Sequence, residues 1–314
     1  MISRRTLLGA MAAGSARAPL SAASPERCRL ACMTMVYRAH SFPRALEGIA
    51  KAGFKYVAPS RNHQGKDVFV AGMPSDARAE IKRQMSDQGL EPVLSLGGFN
   101  AELDKADGLK KYTEELDLCA EFGIPVMVGG GPWYFQKWPN LPKRDRDFQQ
   151  EAAAFYRSLE QLLPHAGSHK VVMTLKPHTG ITARARDCLA VVKRLPSEWL
   201  KICWDAGNVS FYEGIYPDPD LPDLAPYVKG VCLKDHVGGR GAVDFPVPGT
   251  GQIDHESMFR TLFQAGFDGP MAIEKLEGRD NVMGMPAEVI DGRASAAYKF
   301  LTATIGRAAP SRPA

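Results

Sequence analysis

The chain has 314 residues, of which 45% are hydrophobic and 24% charged, and its formal net charge is +4. This balance is typical of a globular protein with one large core, and the length suits either two modest domains or one α/β barrel. Because Arg4, Arg5 and Arg17 lie in the first eighteen residues, the rest of the chain is almost neutral, which argues against nucleic acid or an anionic membrane as a partner.

The first segment, residues 1–23, has the layout of a bacterial export signal. A basic start precedes an apolar run over residues 7–13, a small-residue cleavage sequence follows at 16–18, and no acidic residue comes before Glu26. The pair Arg4-Arg5 resembles the twin-arginine type, so we expect a periplasmic or secreted protein. An ordinary N-terminal helix is the alternative. The apolar run is too short for stable membrane insertion.

Eight apolar runs, most of them followed by a helical pattern, come next along the chain. The predicted strands cover residues 29–37, 54–59, 91–98, 124–131, 170–177, 200–208, 228–236 and 270–278, and the predicted helices cover residues 43–52, 76–88, 106–122, 148–163, 182–195, 255–265 and 287–304. Continuous apolar character is typical of parallel strands buried on both faces. Eight such units predict a single-domain (β/α)8 TIM barrel over residues 24–306, followed by a flexible tail over 307–314. A doubly wound open sheet is the alternative, although no GxGxxG motif follows a strand.

The six cysteines contain no CxxC pair. Cys203 and Cys232 lie inside strand patterns, and Cys119 and Cys188 lie inside helical patterns. Since a buried free cysteine behaves as a small hydrophobic residue, we expect most of them to be buried thiols even in an exported protein.

Polar residues gather at the ends of the last four predicted strands, where barrels of this kind carry their chemistry. They are Lys176 and His178 after the fifth strand, Asp205 and Asn208 after the sixth, Lys234, Asp235 and His236 after the seventh, and Glu274 after the eighth. Ionisable groups are costly there unless they are paired or bind a metal. Any one of them can be a satisfied structural residue, but four strand ends together predict a functional site.

The fourth predicted strand ends in GGGPWYFQKWPN, and its rings indicate a carbohydrate or polyol ligand. Aromatic faces pack against the CH faces of sugars, whereas lysine, asparagine and histidine bind hydroxyl groups. The predicted substrate-binding residues are Trp133, Tyr134, Trp138, His178, Asn208 and Lys234, with Arg61, Asn62 and His63 as additional candidates. The alternative is that the rings only pack the loop against the barrel.

Three segments, ICWDAGNVSFYEG, VKGVCLKDH and GTGQIDHESMFRTLFQAGFDGPMAIEK, resemble the sugar phosphate isomerase/epimerase superfamily of xylose isomerase-like TIM barrels. The resemblance implies a divalent metal, manganese, zinc or cobalt, held by Glu, Asp, His and Glu from the fifth to eighth strands. It also implies that the two glutamates move a proton between neighbouring carbons of a keto sugar. Asp205 and Glu274 match two ligand positions. Lys176 and Cys232 stand at the other two.

These two replacements leave two hypotheses open. In the first, His178 and His236 keep the inward parity of their strands and join Asp205 and Glu274 in a shifted metal site. In the second, the Lys176 ammonium replaces the metal and stabilises developing negative charge, or, if burial lowers its pKa, acts as a base or forms a Schiff base. A buried ion pair in a retired active site is the simplest form of the second hypothesis.

The predicted function is that of an exported isomerase or epimerase acting on a sugar or keto sugar by proton transfer next to a carbonyl, with Lys176 and Glu274 as catalytic residues. One alternative is a lyase or hydrolase of oxidised glycosides, because the same proton abstraction leads to β-elimination. Another is a non-catalytic periplasmic carbohydrate-binding protein. A three-zinc endonuclease fits poorly with seven histidines and a neutral body. No glycine-rich phosphate cradle is evident, so we expect an unphosphorylated substrate, and the resemblance allows a homodimer.

Overall fold

The computed structural model describes residues 28–100 and 102–309, and within them the chain forms a parallel barrel. The strands, in chain order, are Arg29–Met33, Tyr56–Ala58, a third strand in two pieces, Glu91–Pro92 and Leu94–Ser95, then Val126–Gly129, Val172–Leu175, Leu200–Trp204, Val228–Leu233 and Pro270–Ile273. The predicted export signal lies outside the described residues.

The barrel closes through the third strand, which is interrupted at Val93. Its first piece pairs with the second strand and its second piece pairs with the fourth. The first strand pairs with the eighth, with Arg29 opposite Pro270, and every pairing around the ring is parallel. The predicted (β/α)8 TIM barrel is confirmed, and its strand ends all point to one face.

Helices surround this sheet. They are α1 (Phe42–Lys51), α2 (Ser75–Asp87), α3 (Gly108–Glu121), α4 (Asp145–His169), α5 (Ala185–Arg194), α6 (Ala206–Glu213), α7 (Leu221–Leu224), α8 (His255–Gln264) and α9 (Ala287–Ala308). Short 3₁₀ turns occur at Thr34–Tyr37, Gly97–Asn100, Gly180–Thr182, Ala225–Tyr227 and Val282–Gly284, and two-stranded ribbons pair Asn62–His63 with Lys66–Asp67 and Phe135–Lys137 with Leu141–Pro142. None of the helices in the described part of the chain is long and apolar enough to cross a membrane.

All seven predicted helices are confirmed, with shifted ends, but α6 and the short α7 were not predicted. The first residues of α6 were assigned to the sixth strand, whereas the strand stops at Trp204. The Asp205 carboxylate accepts a hydrogen bond from the Asn208 amide at 2.9 Å and so caps the first turn of α6. The same carboxylate therefore ends a strand, begins a helix and faces the strand-end side of the barrel.

The core has two parts, as expected for a sheet buried on both faces. Small and medium side chains fill the barrel interior, namely Ala31, Met33, Ala58, Val93, Leu94, Val126, Val128, Cys203, Cys232 and Ala272. A larger layer packs between the sheet and the helices, with Trp204, Phe155 and Phe259 among its fully buried members. The cysteines are free thiols, and all except the half-buried Cys28 are buried, which confirms that prediction.

Candidate active site

A cavity of about 320 Å³ opens at the C-terminal ends of the strands. Its polar lining comes from two groups of elements. Arg38, Ser60, Arg61, Asn62 and Ser95 follow or end the first three strands and Glu115 comes from α3, whereas Lys176, His178 and Glu274 follow the fifth and eighth strands. Phe69 and Phe99 contribute apolar surface. Three predicted site residues, Lys176, His178 and Glu274, therefore share one cavity.

Four buried charges form a cluster beside this cavity, and we call them the tetrad: Lys176, Asp205, Lys234 and Glu274. The Lys176 ammonium donates to Glu274 Oε1 at 2.7 Å and lies 3.8 Å from Asp205 Oδ2. The Lys234 ammonium lies 2.8 Å from Asp205 Oδ2 and 2.5 Å from Glu274 Oε2. The two positive and two negative groups thus alternate, so each charge in this buried site is compensated by opposite charges beside it.

The position of each tetrad residue relative to its strand explains why the four side chains meet. Lys176, Asp205, Lys234 and Glu274 each come one residue after the last residue of the fifth, sixth, seventh and eighth strands. The seventh and eighth strands end in matching register, with Leu233 opposite Ile273, whereas the ends of the fifth, sixth and seventh strands are staggered by two residues at each step. All four residues nevertheless follow strands that end on the same face of the barrel, and their side chains meet there although they are up to 98 positions apart along the chain.

The carboxylates keep the Lys176 ammonium charged. Burial by itself lowers the pKa of Lys176, but the negative charges around it, Glu274 above all, outweigh burial and raise the pKa well above its usual 10.5. Burial also lowers the pKa of Lys234, and the charges of Asp205 and Glu274 reverse this effect. The site at rest therefore offers no neutral amine, and the geometry does not favour the base and Schiff-base versions of the second hypothesis.

The two carboxylates respond differently to the same lysines. Burial alone raises the pKa of Glu274, but the adjacent Lys176 and Lys234 ammonium groups hold it well below its usual 4.5. At Asp205 burial is the stronger influence and raises the pKa despite the lysines. Glu274 is consequently ionised at neutral pH and lines the cavity, whereas Asp205 is fully buried behind it.

The structure tests the fit of a divalent metal to this site. Asp205, Cys232 and Glu274 place ligand atoms within 4.8 Å of one another. However, Lys234 Nζ already bridges Asp205 Oδ2 and Glu274 Oε2, two oxygens that accept no well-aligned hydrogen bond from the described residues. An ion bound by both oxygens needs a position about 2 Å from each, which is the space that the ammonium occupies. The residues as arranged do not fit a metal.

His236, expected as a metal ligand, lies apart from the tetrad oxygens. Its Nδ1 is 2.8 Å from Ser210 Oγ and its Nε2 is 2.8 Å from the carbonyl oxygen of Ala242. Because a carbonyl only accepts, Nε2 carries the proton and Nδ1 accepts from the hydroxyl, so both ring nitrogens are engaged. The expectation relied on strand alternation, which ends with the seventh strand at Leu233. His236 therefore holds the loop after that strand and is not placed as a ligand.

His178, which was predicted to contact the substrate, lies in the cavity wall. Phe99, Trp133 and Tyr212 surround it, with ring centroids 5.0, 6.1 and 5.3 Å away. Burial, followed by the positive charge of Lys176, lowers its pKa to about 3. The imidazole is therefore neutral, and its Nδ1 lies 3.3 Å from the Lys176 carbonyl oxygen. Because a carbonyl only accepts, Nδ1 carries the proton and Nε2 is left as an acceptor. It is not part of the ligand group formed by Asp205, Cys232 and Glu274.

Asn208 and Lys234, both predicted to bind substrate, lie behind the cavity wall. The Asn208 amide donates to the Pro177 carbonyl at 2.7 Å, and its oxygen accepts from Lys234 Nζ at 2.7 Å. Both functional ends of the Asn208 side chain are thereby used. Its role is to orient Lys234 and to hold the end of the fifth strand, and neither side chain lines the cavity.

The aromatic loop after the fourth strand packs mainly against itself and α6. Trp138 contacts Phe211 and Tyr212 at 5.9 and 5.0 Å between ring centroids, and Tyr134 lines a separate surface pocket beside Phe148. Trp133 contacts His178 but is outside the cavity lining. The placement of Tyr134 and Trp138 thus matches the alternative, in which these rings pack the loop, because the loop folds back as a ribbon.

Asp235 organises the loop that follows the seventh strand. Its fully buried carboxylate accepts four backbone hydrogen bonds, from His236, Gly249, Gly251 and Ile253, at 2.9–3.0 Å. The glycine-rich segment singled out in the sequence is therefore tied to the strand end by one side chain. Gly251 has no room for a side chain, because an added Cβ there meets Asp235 Oδ1 at 2.3 Å.

We expect Asp235→Asn to lower the free energy of unfolding by about 2–4 kcal/mol, since an amide group turned toward two N–H donors leaves them unpaired. Denaturant titration followed by circular dichroism measures the change. Asp268→Asn is the matched control, because Asp268 forms an exposed pair with Lys229 that is worth less than about 1 kcal/mol. Equal effects of the two substitutions would contradict a special role for Asp235.

Several cavity residues come from the first half of the barrel and were not predicted. Arg38 lines the cavity with its Nε buried, and within the described residues that atom has no hydrogen-bond partner. Ser60, Ser95 and the buried Glu115 also line it. Arg38 follows the first strand after one 3₁₀ turn. Its position near a strand end is therefore a local signal, of the same kind that marks the residues after the last four strands. Glu115 comes from the middle of α3, where no local signal marks it.

Comparisons with known proteins agree with this architecture. Residues 46–292 match the family described as Xylose isomerase-like TIM barrel. A xylose isomerase-like TIM barrel protein from Mycobacterium smegmatis, solved in complex with magnesium, has a TM-score of 0.72 and 14% identity over 91% of this chain and 99% of that chain. A 3-keto-D-glucoside 4-epimerase from E. coli in apo form has a TM-score of 0.66 and 16% identity over 87% of this chain and 99% of that chain. A D-psicose 3-epimerase from Clostridium cellulolyticum with D-tagatose has a TM-score of 0.68 and 14% identity over 88% of this chain and 99% of that chain. At these identities the likeness concerns the fold.

Proposed function

The chain belongs to the xylose isomerase-like TIM barrel family, and on that premise we propose that it is an enzyme that moves a proton next to the carbonyl group of a small sugar or keto sugar. One observation carries the proposal. An ionised carboxylate, Glu274, and an ammonium group, Lys176, lie 2.7 Å apart in the wall of one cavity at the strand ends. A base beside a fixed positive charge is what removal of such a proton requires.

In the proposed reaction Glu274 takes the proton from the carbon next to the carbonyl. The electron pair of the broken C–H bond moves to the carbonyl oxygen and gives an enediolate. The Lys176 ammonium stabilises that oxygen, the proton of the adjacent hydroxyl group passes to it, and Glu274 returns its own proton to the former carbonyl carbon, which converts a ketose to an aldose or the reverse. Atoms and charge balance within the substrate, because the base regains its starting state.

Lys234 and Asp205 support this pair from behind. Lys234 keeps the second oxygen of Glu274 at 2.5 Å, and Asp205 keeps Lys234 at 2.8 Å. The arrangement fixes which Glu274 oxygen faces the cavity and keeps the cluster neutral. It also provides positive charge at the position where the relatives named by the resemblance hold a divalent metal. We therefore propose that this chain works without a metal in the tetrad, and that Lys234, rather than Lys176, takes the metal's place.

The cavity supports a small unphosphorylated carbohydrate or polyol as substrate. Its volume of about 320 Å³ lies at the lower end of the range for small-molecule sites, about 300–1,000 Å³. Serine hydroxyls, the amide of Asn62 and the guanidinium of Arg38, whose Nε has no hydrogen-bond partner among the described residues, offer hydrogen bonds to hydroxyl and carbonyl oxygens. The neutral His178 can accept a hydrogen bond from a hydroxyl group. One of the comparison proteins holds D-tagatose and another is described as acting on a 3-keto-D-glucoside.

A lyase acting on keto glycosides is the second candidate, and Lys176 favours it. The resemblance places a second glutamate at this position, which serves epimerisation because one base works on each face. Here the position carries a protonated amine, and such a group can donate a proton to the leaving oxygen while Glu274 takes the proton from carbon. The products distinguish the candidates, since only the lyase releases an alcohol from the glycoside.

The proposal is tested by incubating the purified enzyme with unphosphorylated ketohexoses and 3-keto glucosides in deuterated water. We expect deuterium at the carbon next to the carbonyl, seen by NMR, and the same rate after dialysis against a chelator because the tetrad holds no metal. A protein that binds these sugars without label exchange is a carbohydrate-binding protein instead. Loss of exchange after chelation, restored by manganese, zinc or cobalt, would contradict the metal-free mechanism.

We further propose export through the twin-arginine route, on the composition of residues 1–23. Replacement of Arg4 and Arg5 by lysine is expected to retain the protein in the cytoplasm of a bacterial host, whereas the unaltered chain reaches the periplasm. Fractionation with immunoblotting measures the distribution. An unchanged distribution would end this proposal without affecting the enzymatic one.

A further inference from the structure

We propose that Asp117, His165 and His169 form a binding site for a zinc-type transition-metal ion on the outer surface of the barrel, between α3 and α4. Their ligand atoms lie within 4.8 Å of one another. Two imidazoles and one carboxylate are ligands that zinc prefers, and three protein ligands leave a fourth position for water. The three residues are absent from the cavity lining, so the site is separate from the tetrad.

The helices position these three residues. His165 and His169 are four residues apart on α4, so they lie one above the other on the same face. Asp117 comes from α3, which packs against α4. The two ring centroids are 4.5 Å apart, and both Nε2 atoms approach the same carboxylate oxygen, Asp117 Oδ1, at 2.6 Å for His165 and 3.3 Å for His169. Three donors from two helices thus converge on one point.

These distances suit metal coordination after a small adjustment. With zinc–ligand bonds of about 2.0–2.1 Å, neighbouring ligand atoms in a tetrahedral site are about 3.3 Å apart. The contact of His169 with Asp117 already has this length. The contact of His165 needs to lengthen by about 0.7 Å, which a change of side-chain torsion supplies because all three side chains are at least 31% exposed.

The surroundings also distinguish this site from the tetrad. Within the described residues, the recorded ion pairs of Asp117 are with these two histidines, whereas Asp205 and Glu274 are each paired with two lysines. No ammonium group therefore competes for the metal position. A bound ion joins α3, which precedes the fourth strand, to α4, which follows that strand. We expect the ion to stabilise the fold without taking part in the reaction.

The experiment is isothermal titration of tag-free, reduced, full-length protein with zinc chloride, together with thermal unfolding with and without zinc. We expect one zinc ion per chain and a zinc-dependent rise in Tm. Asp117→Asn, His165→Gln and His169→Gln should each weaken binding by about 100-fold or more, because even residues that only support metal ligands contribute 10–100-fold.

Glu114→Gln is the matched control, since it removes one negative charge from the same helix face region and leaves the three ligands in place. It should bind zinc as the unaltered chain does. Absence of saturable zinc binding overturns the proposal, and so does binding that persists unchanged in all three ligand variants. If a histidine variant fails to fold, Asp117→Asn, which keeps size and shape, decides the question.

Discussion

Glu274→Gln is expected to lower kcat for proton exchange by about 10²–10⁴-fold, the usual contribution of a positioned general base. The amide keeps the shape of the side chain but cannot accept the substrate proton. Exchange of label from deuterated water measures the step directly, and circular dichroism shows whether the variant is folded. Glu277→Gln serves as control, because Glu277 pairs with Lys275 and is not a cavity residue. An active Glu274→Gln variant would remove the proposed base.

The pH dependence of the unaltered enzyme gives a second readout for Glu274. Its pKa is held well below 4.5, so the ionised base persists as the pH falls to that value. The pKa of Lys176 is raised above 10.5, so the ammonium persists as the pH rises to that value. We therefore expect kcat/KM to show no titration of Glu274 or Lys176 between about pH 5 and pH 10. The stability contributed by Glu274 is present above pH 4.5 and is lost as the pH falls through its depressed pKa.

Lys234→Ala is expected to lower the free energy of unfolding by about 3–5 kcal/mol, because it leaves buried negative charge at Asp205 and Glu274 insufficiently compensated. Denaturant unfolding measures the loss. Lys229→Ala is the control, since Lys229 forms an exposed pair with Asp268 that contributes less than about 1 kcal/mol. Similar losses in both variants would contradict the bridging role of Lys234.

The same substitution tests whether Lys234 occupies a metal position. Removing the ammonium opens the space between Asp205, Cys232 and Glu274, which are then able to bind zinc. In a chain that also carries Asp117→Asn, which disables the proposed surface site, zinc should raise the Tm of the Lys234→Ala variant and leave the Lys234-containing chain unchanged. An equal zinc response of both chains would show that the ammonium does not exclude the ion.

Part of the site was predictable because its residues directly follow apolar strands. Lys176, Asp205, Lys234 and Glu274 were all recognised from their positions at predicted strand ends, and the parallel arrangement of the strands brings them to the same face of the barrel. Their partners were not predictable. Whether Lys176 or Lys234 bridges the two carboxylates depends on the direction of each side chain after its strand has ended. The alternation of side chains between the two faces of a strand no longer applies there. His236 shows the same limit, since three residues beyond its strand it turns to Ser210 and Ala242.

The sequence by itself determined the barrel, the order of its strands and the charged residues at four strand ends, because hydrophobic periodicity and strand-end position are local properties of the chain. Tertiary structure alone decided which charges pair, that Asn208 and Asp235 are fully used in hydrogen bonding, and that Arg38 and Glu115 reach the same cavity as Lys176. It also brought Asp117 to His165 across two helices. The physical reason is that these contacts depend on the direction of side chains from distant segments, which no local pattern records.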